Sequence, residues 1–97
     1  MALLQSSGKL TFLRVHDRGT GFGPPDDHID VEAVVQLDSR PGESFGFQMR
    51  EDKELPARQG MLAILRDAFN NGWTTTLDYR IDSGNNNGVI IRVALRK

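Results

Sequence analysis

A mainly β fold, a five-stranded Greek-key barrel with one helix, is predicted for this 97-residue chain by three observations. Five segments are rich in apolar residues with the period-two spacing of half-buried strands. One segment, 56–71, carries its apolar residues at helical spacing instead. The helix falls after the third strand, so the order is β-β-β-α-β-β, the chain order of an OB-fold. Ninety-seven residues suit one such domain, 1–97, and bury roughly two-thirds of the unfolded surface, enough for one core.

The first strand is expected over 9–16. Leu10 and Phe12 share one face and Leu13 and Val15 the other, so the strand is either buried on both faces or bulged at Phe12–Leu13. From 17 to 27 three glycines and two prolines break regular structure, which makes a loop. Gly19-Thr-Gly-Phe-Gly23 has the look of a phosphate cradle, but Pro24-Pro25 and a strand follow it where a helix N-terminus is needed. In the second strand Ile29, Val31, Ala33, Val35 and Leu37 share one face, with Val34 the apolar exception on the other. Asp38 to Glu43 is turn chemistry around Pro41-Gly42. Phe45, Phe47 and Met49 line one face of the third strand as core.

Glu51 to Leu55 reads as a charged connection. Pro56 suits the first helical turn, where its missing donor costs nothing. Met61, Leu62, Leu65, Ala68 and Phe69 form the apolar stripe, and Asn71-Gly72 stops the helix. Trp73, Thr75, Leu77, Tyr79 and Ile81 face one way in the fourth strand; Val89, Ile91, Val93 and Leu95 do so in the fifth. The Asp82–Gly88 stretch between them is an Asn- and Gly-rich hairpin loop.

Composition excludes several classes. There is no cysteine, so neither a disulfide nor a thiolate metal site can form. Twelve basic and thirteen acidic side chains give a formal charge of −1, which creates no overall field for nucleic acid or an anionic membrane. No apolar run approaches the roughly 20 residues of a bilayer span. The first residues are too short and polar for a signal peptide. The chain is therefore expected in the cytoplasm if it is full length, and outside the cell if a signal has been removed.

The helix Met61-Leu-Ala-Ile-Leu-Arg-Asp-Ala-Phe69, the strand reaching Leu77-Asp-Tyr79, the Asn-rich turn and Val89-Ile-Ile-Arg-Val-Ala-Leu95 together resemble the C-terminal half of the cholera-type enterotoxin B subunits. The resemblance covers residues 56–97. It implies an OB barrel and assembly into a pentameric ring of the kind that binds cell-surface sugars. This chain lacks the family's disulfide, and its one tryptophan, Trp73, lies at the start of the strand. No sugar-binding residue is carried over.

The expected function is that of a non-catalytic, oligomeric binding module, with a glycan as ligand. In an OB barrel the loops after the first and fourth strands flank the binding face. Here these are 17–27 and 82–88, expected at one end of the barrel. The candidate ligand residues are Phe22, Asn85, Asn86 and Asn87 in these loops, with Tyr79 and Arg80 at the strand end beside the second. The polar groups among them offer the donors and acceptors that sugar hydroxyls need, and Phe22 an aromatic contact. Self-association is expected through Val34, Ile90 and Ala94, apolar residues on otherwise polar faces, with a pentamer favoured over a dimer. Single-stranded nucleic acid is the rival ligand and needs Phe45 or Phe47 exposed for base stacking, and a structural assembly module with no ligand of its own is the third reading. His16, Asp17, Asp26, Asp27, His28 and Asp30 match neither a zinc nor a calcium spacing, so no metal site is assigned. Ser39 and Ser83 have no histidine and acid brought to them by any motif, so no catalytic residue or cofactor is assigned.

Overall fold

The computed structural model describes residues 3–16, 32–81 and 87–97. Among these the fold is mainly β, one six-stranded sheet and one helix. The elements are β1 (Leu4–Gly8), β2 (Leu10–Val15), β3 (Ala33–Leu37), β4 (Phe45–Phe47), α1 (Leu55–Asn71), β5 (Thr74–Arg80) and β6 (Gly88–Arg96). The sheet order is β1-β5-β6-β4-β3-β2. Every pair is antiparallel except β4 with β6. No ladder joins the two ends of the sheet, β1 and β2, among the described residues.

The strand count corrects the expected five. β1 had no apolar alternation to announce it, because polar pairs hold it to β5. Gln5 Nε2 donates to Asp78 at 2.8 Å, the Ser6 hydroxyl meets the Tyr79 hydroxyl at 2.8 Å, and the Ser7 hydroxyl meets that of Thr76 at 2.7 Å. Lys9 alone separates β1 from β2. The β3–β4 turn clamps this break. Asp38 accepts the Lys9 N–H on its side chain at 2.9 Å and returns its own N–H to the Lys9 carbonyl at 2.9 Å. Ser39 Oγ donates to the Ser7 carbonyl at 2.6 Å. The approach requires Gly8, where a Cβ would come within 2.5 Å of Asp38 Oδ1.

A bulge does occur in β2, one residue earlier than Phe12–Leu13. Leu10 faces Leu37 and Phe12 faces Gln36, so Thr11 is the extra residue. The shift brings both Leu10 and Leu13 against the core and turns Phe12 outward, where the Arg14 guanidinium sits 5.6 Å from its ring centroid.

The core gathers Ala33, Val35, Leu37, Phe45, Phe47, Leu65, Leu77, Tyr79 and Ile90. Phe45 and Tyr79 meet edge to face with centroids 4.7 Å apart. Gly88 passes beneath this pair; a Cβ there would lie 2.6 Å from the Tyr79 ring and 2.8 Å from that of Phe45. α1 starts with Pro56 in its first turn and stops at Gly72, whose φ of 67° lets its N–H reach the Ala68 carbonyl at 2.9 Å. Leu65 and Ala68 are fully buried, with Met61 and Leu62 packed beside them. Phe69, assigned to the stripe, is exposed instead, as is Ile64. Ile64 lies about 70° from the line through Met61, Leu65 and Ala68, on the flank opposite Leu62, and Phe69 lies on the Leu62 flank but in the last turn of α1, past the last buried helical residue, Ala68.

Two further assignments change. Val34 is buried at 9 %, because β3 is an interior strand and Val34 sits in register between Arg14 of β2 and Gly46 of β4. In β6 the face Val89-Ile91-Val93-Leu95 is broken. Asp78 pairs Arg92 while Tyr79 pairs Ile90, so Ile91 is an extra residue and the strand changes face there. Ile90 enters the core at 3 % exposure and Ile91 is left 46 % exposed. Val34 and Ile90 are thus covered within the chain and are not interface residues; Ala94 remains exposed.

Candidate ligand cleft

The parallel pairing of β4 with β6 lasts two residues, Phe45 with Gly88 and Gly46 with Val89. β4 then ends while β6 continues to Arg96, and the chain leaves through 48–54 to start α1. The gap between these elements is a cleft of about 400 Å³, within the size range of small-molecule sites. Its polar lining is Gln48, Glu54 and Arg58 from the β4–α1 side and Arg80 from the end of β5. Its apolar lining includes Met61, Val89 and Ile91. The β6 bulge is what supplies Ile91, since without the extra residue that side chain would follow the alternation into the core.

Asp52 sets this rim. It accepts the Arg58 Nη1 donor at 3.2 and 3.4 Å and the Glu54 N–H at 2.8 Å. Arg58 is thereby matched by Asp52, and Glu54 stands in the same lining as Arg80. The charges of the cleft and its rim balance. What remains is a mixture of donors, acceptors and aliphatic surface, the chemistry of an uncharged polar ligand with a C–H face.

On the far side of β5 and β6 a second polar group closes on itself. Asp78 accepts from Arg92 Nε and from Gln5 Nε2, the latter at 2.8 Å. The Arg92 hydrogen bond, with that of Gln5 second, holds the Asp78 carboxyl below the usual carboxylate range.

Of the residues proposed from the sequence, Arg80 lines the cleft. Asn87 sits at the base of the β5–β6 loop, its Oδ1 accepting the Ser44 N–H at 3.2 Å. Tyr79 is a core residue, 2 % exposed, with its ring on Phe45 and its hydroxyl on Ser6, and offers no surface to a ligand. Phe22, Asn85 and Asn86 lie outside the described residues, as do residues 17–31 of the acidic loop. The two polar loops do not leave from one end of the sheet. The base of the first, His16 and Glu32, bonds beside Phe47 at the end of β4. The base of the second, Asn87 and Gly88, bonds to Ser44 beside its start. Parallel pairing of β4 with β6 sends them opposite ways.

Gln48, Glu54, Arg58, Met61 and Ile91 were not found from the sequence. Glu54 lies in the stretch that reads as a charged connection, Gln48 reads as the outer face of the third strand and Arg58 as the polar side of the helix, and the bulge that turns Ile91 out is masked because Val89, Ile90 and Ile91 are all apolar. Phe45 and Phe47, the platform that nucleic-acid stacking requires, are buried at 1 and 2 %. Among the described residues no group of three His, Cys, Asp or Glu side chains could hold a metal, and no helix is long and apolar enough to cross a membrane. No protein family, curated protein or solved structure matches the chain.

Proposed function

We propose that the chain is a non-catalytic binding module of the OB type that takes a glycan in the cleft between α1, β4 and β6. The carrying observation is the lining of that cleft, where Arg58, Arg80, Gln48 and Glu54 surround an aliphatic surface containing Met61 and the everted Ile91. Sugars present hydroxyls that need both donors and acceptors and a C–H face that needs apolar contact. The OB reading is supported by connectivity. Leu4–Val15, interrupted only at Lys9, acts as one bent strand that pairs β5 with its first half and β3 with its second. The parallel β4–β6 pair and the helix between β4 and β5 fit the same scheme.

The module works as a ring of copies, with five favoured over two on the resemblance to enterotoxin B subunits. Exposed Ile64 and Phe69 on α1 and Phe12 and Val15 on β2 provide apolar surface for self-association. Single sites of this kind are weak, because hydroxyl bonds replace bonds to water. A ring raises apparent affinity by about 100-fold or more.

The test is a glycan array probed with the intact protein and with Arg80→Ala, alongside sedimentation. The expected results are a mass near five subunits, binding by the parent, and a loss of about tenfold in the variant. An array without signal for the parent removes the glycan reading. A mass near one subunit at micromolar concentration removes the ring.

A further inference from the structure

Glu32 is a buried acid that the cleft does not itself use. It immediately precedes β3 and is 4 % exposed. Its Oε2 accepts the Met49 N–H at 2.8 Å, and its Oε1 lies 3.1 Å from Arg50 Nε. Both partners belong to 48–54, the segment between β4 and α1, which joins neither strand nor helix. The two ends of that segment carry Gln48 and Glu54 into the cleft lining.

Within the segment several bonds are local. Asp52 N–H donates to the Arg50 carbonyl at 2.9 Å, Glu54 N–H to Asp52 Oδ1 at 2.8 Å, and Leu55 N–H to the Asp52 carbonyl at 3.2 Å. Bonds within a segment set its shape. Its distance from the sheet needs a group that reaches across, and Glu32 does so with one charge-assisted hydrogen bond, to Met49, and an ion pair to Arg50. A buried carboxylate is costly unless its partners are held in place, so the arrangement favours one fixed position of the segment. The Glu32 backbone continues the connection. Its carbonyl accepts the His16 N–H at 2.9 Å at the base of the 17–31 loop, and its N–H donates to the Phe47 carbonyl at 3.3 Å.

We propose that Glu32 is a positioning residue for ligand binding: it fixes the 48–54 wall of the cleft and links that wall to the base of the 17–31 loop. This rests on the reading of the cleft as the ligand site. A residue that merely stabilised the fold would act everywhere; Glu32 acts on the wall.

The experiment compares the parent with Glu32→Gln and Glu32→Ala by amide hydrogen exchange, thermal melting and binding to an array of neutral oligosaccharides. Gln keeps an acceptor for Met49 and loses the charge on Arg50, so it folds even where Ala does not. In Glu32→Gln the amides of Met49, Arg50 and Asp52 are expected to exchange about tenfold faster while those of Leu65–Ala68 and β5 keep their rates. Array binding falls about tenfold with little change in melting temperature. Unchanged exchange across 48–54, or faster exchange spread evenly over the chain, overturns the proposal. A parent that binds no oligosaccharide removes the glycan reading, and the exchange rates then decide separately whether Glu32 holds the wall.

Discussion

β2 and β6 each contain one extra residue, and the two insertions move hydrophobic side chains in opposite directions. Thr11 in β2 shifts the strand so that Leu10 and Leu13 both reach the core. Ile91 in β6 is itself the extra residue and is pushed out into the cleft while Ile90 goes in. The same backbone device consolidates packing in one strand and gives up a packed isoleucine in the other. The difference lies in what is inserted: a threonine is at ease at the surface, whereas an exposed isoleucine is a cost that a ligand can recover.

The largest effect is expected from exchanging neighbours across the β6 bulge. Ile90→Ala opens a cavity in the core and should lower unfolding free energy by about 3 kcal/mol. Ile91→Ala should stay within about 0.5 kcal/mol of the parent while weakening ligand binding. Denaturant titration of both variants checks this, and equal losses of stability would mean that β6 has no bulge at Ile91. Gly88→Ala comes next, at about 2 kcal/mol, because its Cβ would displace the Tyr79 and Phe45 rings at the start of the same strand. A parent-like melting curve for that variant would contradict the close approach.

The smallest effect concerns pH. Asp78 and Arg92 pair directly beside the Ile91 bulge and hold its far side. The folded carboxyl has its pKa below the unfolded value, by the Arg92 bond first and the Gln5 bond second. Its contribution is therefore present above about pH 4 and is lost as pH falls through the lower folded value. Asp78→Asn should melt earlier than the parent at pH 7 and lose less on acidification. Parallel melting curves from pH 7 to pH 3 would show that the pair does not hold the strand.

The two strands also mark how far the sequence could be read. In β2 apolar residues on both faces left two readings, burial on both sides or a bulge at Phe12–Leu13, and the bulge that occurs lies one residue earlier. In β6 the residues Val89-Ile90-Ile91 are all apolar, so regular alternation survives on paper through a point where the backbone changes face. The helix ends were legible because Pro56 and Gly72 act locally through φ and a missing donor. β1 was not, since its polar side chains gain their partners from residues about seventy positions away. Arg80 was reached from the loop beside it. The rest of the cleft lining was not, because it depends on β4 ending after three residues while β6 runs on.

The pairing of β1 with β5 has a consequence for how the chain is made. Leu4 meets Tyr79, and Gln5 bonds to Asp78 across 73 positions. During synthesis β1 has no partner on β5 until about seventy further residues have emerged. β5 meanwhile forms its local hairpin with β6 and exposes an unpaired edge on the other side. Pairing over such separations is slow, on the order of milliseconds to seconds in sheet proteins. The pairing of β1 with β5 is therefore expected to be a late step of folding. A nascent chain delayed at that step presents β5 as a template for other copies, so expression yield should depend on Leu4–Gly8 more than their modest side chains suggest.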